Sequence, residues 1–156
     1  MDDAAVPLPD GTELQRTIRL ARSLNAPPER VSRAWADPEE LARWLPERVE
    51  GALAVGARTT LVWSYRRVWW DVVEVRMGKV FEFRRSWLPG DRLLTTVRVE
   101  FQPAGYGTRL LLEDGPFGLD QPGGVDAWAE ALQEWTLALA LLRAHLDFSV
   151  DLRTRP

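Results

Sequence analysis

The chain has 156 residues and a mass of 17.7 kDa, the size of one domain. A chain of that size buries about 69% of its unfolded surface, enough for a core without cross-links. Twenty Lys+Arg against 23 Asp+Glu leave a net charge of −3 and a pI near 5.3, which argues against a nucleic-acid partner. The absence of cysteine excludes disulfides, thiolate chemistry and cysteine-ligated metal, and cytoplasmic localisation is the expectation.

Residues 1–11, with Pro7, Pro9 and Gly11, read as a loose acidic tail and not as a signal or transit peptide. From Thr12 to Leu24, Leu14, Ile18, Leu20 and Leu24 share a parity, which predicts a strand. PPERVSRAWAD and PEELARWLP then predict two short helices, with Pro28 and Pro38 in their first turns and Asp37 capping the second. From Glu50 to Asp114 the hydrophobic period is two, broken by turn residues, which predicts an antiparallel meander. Gly115–Gly124 reads as a loop. Val125–Phe148 predicts a helix about 36 Å long, with Trp128, Leu132, Trp135, Leu139, Leu142 and Leu146 on one stripe. Residues 149–156 read as a C-terminal tail, so residues 12–148 form the single expected domain. No apolar run reaches the ~20 residues of a membrane helix.

The turns allow the sheet to be registered. A two-residue loop at Arg66-Arg67 pairs Trp63 with Trp70 and Thr59 with Glu74. Met77-Gly78 as a loop pairs Val72 with Phe83 and Glu74 with Phe81. A loop over 88–92 pairs Arg85 with Thr95 and Phe83 with Val97, and a loop over 103–106 pairs Phe101 with Thr108 and Thr95 with Asp114. Opposed residues share a face, and one face then collects Leu61, Trp63, Trp70, Val72, Phe81, Phe83, Trp87, Val97, Val99, Leu110 and Leu112. The other is mixed, with Asp71 and Arg84 placed as an outer cross-strand ion pair and Trp69 projecting outward. An apolar sheet face and an apolar helical stripe cover each other. The expected fold is α+β: an antiparallel sheet of six or seven strands wrapped around the C-terminal helix, with two short helices after the first strand.

The order of these elements, with PPERVSRAWADPEELARWLP, VVEV, GTRLLLEDGPFG and EWTLALALLRAHL, resembles the bacterial homologues of the activator of the 90-kilodalton heat-shock-protein ATPase. These belong to the helix-grip superfamily, which includes START lipid-transfer domains, birch-pollen-allergen-like proteins and aromatic polyketide cyclases. The resemblance covers residues 12–148. It departs from the family pattern at Glu134-Trp135, where members often carry Gly-Trp, and at Val55-Gly56, where they often carry a double glycine. The resemblance implies a cavity between sheet and helix for an apolar or aromatic molecule, and it supplies no catalytic residue.

The ligand-binding candidates are Trp63, Trp70, Glu74, Phe83, Arg85, Thr95, Val97, Trp128, Trp135 and Leu139. Five large rings between two layers are hard to pack at full density, which leaves room for a gap. Arg85 is either a polar anchor flanked by Trp70, paired with a ligand anion or Asp114, or a sheet-edge residue snorkelling to water. Glu74, opposite Thr59 and Phe81, is either a desolvated general acid or an ordinary ion-pair partner. His145 has no histidine or cysteine companions for a metal site. No phosphate loop, dinucleotide fingerprint or nucleophile elbow occurs, and no cofactor or metal is expected.

Three functions follow, in order of expectation: non-catalytic binding of a small hydrophobic molecule, a cochaperone-like module that stimulates a heat-shock ATPase, and a polyketide cyclase or hydratase. The partners are a small hydrophobic molecule and, under the second reading, a chaperone. No nucleic acid or membrane insertion is expected, and a homodimer is left open.

Overall fold

The computed structural model of the chain describes residues 14–88 and 92–153. The expected tail 1–11 and the centre of the 88–92 loop lie outside the described residues. The elements run β1 (Gln15–Leu24), α1 (Pro28–Ala36), α2 (Pro38–Leu41), β2 (Arg48–Glu50), β3 (Arg58–Trp63), β4 (Arg66–Arg76), β5 (Val80–Ser86), β6 (Leu94–Ala104), β7 (Gly107–Gly118) and α3 (Gly124–Phe148). All pairings are antiparallel in one sheet of order β1-β7-β6-β5-β4-β3-β2. This is the α+β helix-grip arrangement.

Local chemistry explains the starts and stops. Pro28 and Pro38 occupy the first helical turns, where a missing N–H costs nothing. The Asp37 side chain accepts from the Glu39 N–H at 3.0 Å, capping α2 as expected. At the start of α3 the backbone passes so close to β7 that a Cβ on Gly124 would lie 1.9 Å from the Gly118 carbonyl oxygen, so only glycine fits there.

The register is right in parity almost throughout, because every shift but one is even. The β3–β4 turn falls at Ser64-Tyr65, so Trp63 pairs with Arg66 and Thr59 with Trp70. The β6–β7 turn is two residues shorter than expected, pairing Phe101 with Leu110 and Val97 with Asp114. Neither change moves a side chain to the other face. The β5–β6 pairs, Arg85 with Thr95 and Phe83 with Val97, are as expected.

The odd shift lies in β4. A bulge between Val72 and Glu74 places Glu74 opposite Glu82 and Val75 opposite Phe81. An extra residue in one strand reverses the alternation beyond it. Glu74 therefore turns to the outer face, and Val75 takes the inner position and packs against the core.

The core lies between the inner sheet face, α3 and α1. Trp35, Trp70, Phe81, Phe83 and Trp135 form its aromatic centre, with Trp70 stacked on Phe83 at 3.9 Å between ring centroids. Trp35 wedges between them, 6.4 Å from Trp70 and 6.2 Å from Trp135. The buried side of α3 is lined by small residues, Ala127, Ala131 and Ala138, around Trp135, Leu139 and Leu142. Trp128, Leu132 and Leu146 are only partly buried, so the true stripe is rotated from the predicted one. At Ala127 and Ala131 the small side chains let the helix approach the sheet closely.

Candidate ligand cavity and its charged wall

The aromatic centre fills one end of the interlayer space and leaves the other open. A cavity of about 790 Å³ lies between the β3–β4 hairpin, the middle of α3, the segment at Leu45 and Glu47, and the residues that follow α3. That volume is typical of small-molecule sites. Trp63, Trp70, Trp135, Ala138 and Leu141 supply apolar wall. Tyr65 at the hairpin turn, 75% exposed, and the exposed Leu137 and Leu152 mark its opening to solvent.

Its charged wall comes from two neighbouring strands and the helix. Arg66 follows the hairpin turn on the inner face of β4, and Arg85 sits on β5. Both reach one carboxylate, Glu134 on α3: Arg66 through a very short contact and Arg85 at 3.5 Å. Arg66 lies over Trp63 at 4.6 Å from the ring centroid, and Arg85 over Trp87 at 3.4 Å, both favourable cation–π geometries. Arg85 is only 5% exposed. Burial pulls its pKa down to about 10, against the opposing charges of Glu134 and Asp114, so it stays protonated at neutral pH.

Behind this wall lies a buried polar cluster. Trp135 Nε1 donates to Asp114 Oδ2 at 2.8 Å, and Trp87 Nε1 donates to Thr95 Oγ1 at 2.9 Å. Burial raises the Asp114 carboxyl to about 6, with hydrogen bonds from Thr95 and Trp135 and the Arg85 charge acting against it.

Of the sequence candidates, Trp63, Trp70, Arg85 and Trp135 come together on the cavity wall. Phe83, Val97 and Leu139 are fully buried in the core, and Thr95 belongs to the polar cluster behind the wall. Trp128, two turns before Trp135 on α3, is half-buried and is not part of the cavity wall. Glu74 lies on the other side of the sheet, bonded to Arg98 at 3.1 Å and Arg76 at 3.0 Å; the bulge removes it as a cavity acid. Arg85 does not snorkel to water, and the indole beneath it is that of Trp87, not Trp70. The outer Asp71 faces Arg84 as expected, yet its carboxylate is held by Arg58 at 2.7 and 2.9 Å, which also covers Trp69. His145 meets a carboxylate, with Nε2 2.6 Å from Glu40 Oε1.

Sequence reasoning missed Arg66 and Glu134. The sequence pattern puts Arg66 in a loop, and the even register shift draws it into β4. Glu134 lies on a mixed stripe, Glu130, Glu134, Ala138 and Leu141, beside the apolar one, where periodicity gives little signal. The departure from the family's Gly-Trp pattern at Glu134 was the available sign.

The family described as Activator of Hsp90 ATPase homolog 1-like protein matches residues 25–147. Among solved structures, protein MLL2253 from Mesorhizobium loti is 26% identical with a TM-score of 0.75, covering 88% of this chain and 100% of its own. The Aha1 dimer from Colwellia psychrerythraea is 16% identical with a TM-score of 0.75, covering 85% of this chain and 97% of its own. DynU16, from the dynemicin biosynthetic locus, is 21% identical with a TM-score of 0.72; the match covers 90% of this chain and 49% of DynU16. The last two likenesses show the fold alone. No curated protein matches. Among the described residues no helix is long and apolar enough to cross a membrane. The match over residues 25–147, on a sheet that grips a long C-terminal helix, places the chain in the Activator of Hsp90 ATPase homolog 1-like protein family.

Proposed function

We propose that the protein binds a small, largely apolar molecule with an aromatic portion in the cavity between the β3–β4 hairpin and α3. The observation that carries this reading is a space of about 790 Å³, open to solvent and walled by Trp63, Trp70 and Trp135. Transfer of apolar ligand surface into it yields ~25 cal/mol per Å², offset by the loss of ligand freedom. The reading is of binding and not of catalysis. Glu74 lies outside the cavity, Asp114 is shut behind Trp135, and Glu134 is engaged by two arginines.

Native mass spectrometry of the purified protein, followed by titration with aromatic probes, tests it. Ala138→Trp, which fills the cavity from the helix side, is expected to weaken binding about tenfold or more while the protein stays folded. Saturable binding that survives this substitution unchanged, or no binding by any probe, overturns the reading.

Family membership favours a second reading, a cochaperone-like module whose outer surface does the work. Stimulation of the Hsp90 ATPase by the purified chain, undiminished in Ala138→Trp, would favour it. The cyclase reading draws only on a shared fold with DynU16.

A further inference from the structure

We infer that the cavity's ligand is an organic anion, a carboxylic acid with an apolar or aromatic body, whose carboxylate lies against Arg66 and Arg85. This rests on the cavity being a binding site and adds the charge class of its occupant. Among the described residues, two buried side-chain donors without a partner, Arg30 Nη1 and Trp35 Nε1, lie away from the cavity, and three more are Arg66 Nε, Trp70 Nε1 and Arg85 Nε. All three belong to residues on the cavity wall, and all three are N–H donors. Among the described residues, the one unpartnered buried acceptor is Asp114 Oδ1, which does not belong to the cavity wall. Buried donors without acceptors are disfavoured, and three of them belong to the residues that wall the cavity, just beneath its surface.

The charges point the same way. Two guanidiniums share a single carboxylate, and Arg85 reaches it only at 3.5 Å. A second carboxylate would complete the pairing, with the charge-assisted geometry that arginine favours. The other charged groups around the cavity do not take that place. Glu47 and Glu130 are exposed at the rim, where water screens them. Arg153 is bonded to Asp151 at 2.8 Å, and Asp114, whose charge acts on Arg85 from behind the wall, makes no ion-pair contact with it and is bonded to Trp135. The aromatic walls take the body of the same molecule while Arg66, at the opening, receives its acid group.

The test uses matched probes that differ only in charge: 1-naphthylacetate, 4-biphenylacetate and dodecanoate, each against its primary amide, titrated calorimetrically into the intact protein. At least one acid is expected to bind about tenfold or more tightly than its amide. In Arg66→Met that preference is expected to fall to about twofold or less, the acid losing clearly more affinity than the amide. Arg66 is partly exposed, so this variant keeps the fold. Arg85→Met, verified by its melting curve, is expected to do the same, and a merely structural arginine would weaken acid and amide alike. Equal binding of acid and amide by the wild type, or parallel losses in Arg66→Met, overturns the anion assignment and leaves the cavity reading standing. If no acid and no amide binds, both fall.

Discussion

Asp114 and Glu74 show how completely position governs a carboxylate. Asp114 is fully buried, and its carboxyl is pushed up to about 6. Its folded pKa lies above its unfolded one, so the folded state holds this proton more tightly. The contribution to stability is therefore greatest at low pH and is lost as pH rises from about 4 to about 6. The full shift corresponds to as much as about 3 kcal/mol. Urea titrations of wild type and Asp114→Asn at pH 4 and pH 7 are expected to diverge in this sense: the variant keeps more of its low-pH stability at pH 7 than the wild type does. Parallel profiles would show that the site is solvated. Glu74 carries the same functional group, but one bulged residue at Val73 turns it to an outer face where Arg76 and Arg98 pair with it.

At the scale of elements, the short helices are held to α3 by a polar contact as well as by Trp35. Glu40 on α2 lies within 2.8 Å of Arg30 on α1 and 2.6 Å of His145 near the end of α3. Burial alone would raise its carboxyl, but the hydrogen bonds from His145 and Arg30 outweigh it and hold the pKa below the usual value. A depressed folded pKa contributes stability above the unfolded carboxylate range and loses it as pH falls below about 4. Glu40→Gln is expected to cost about 1–2 kcal/mol at pH 7, with the deficit closing by about pH 3, as read from denaturant midpoints. A deficit constant across that range would mean that packing and not charge makes the contact. Past α3 the chain is tied down as well: Arg153 donates to the Ala42 and Pro46 carbonyls at 2.8 and 2.6 Å, although residues 149–156 read as a tail.

For the molecule as a whole, the two layers meet tightly at one end and stand apart at the other. Ala131 is fully buried in the tight region, and Ala138 lies two turns on, at the cavity wall. Enlarging a side chain in a full core costs about 1–3 kcal/mol, whereas the same methylenes entering empty space meet no such resistance. Ala131→Leu is expected to lose that amount, while Ala138→Leu stays within about 0.5 kcal/mol of wild type. Equal losses would mean that the cavity closes in solution. This comparison needs no ligand, so it probes the space independently of what occupies it.

Composition and periodicity were sufficient for the architecture. The alternation from Glu50 to Asp114, the capped proline-led helices and the long terminal helix each reflect local preference reinforced by burial. Any even error in a turn leaves the inner face intact, so Trp63, Trp70 and Arg85 could be placed inward from the residues alone, and helical spacing did the same for Trp135. What pattern could not supply was the bulge in β4, which depends on how β4 fits against β5, and the meeting of Arg66, Arg85 and Glu134. Those three are separated by up to 68 residues and lie on three elements. Their approach depends on the angle and height at which the helix crosses the sheet, and that is set by packing between layers and not by preference within either one.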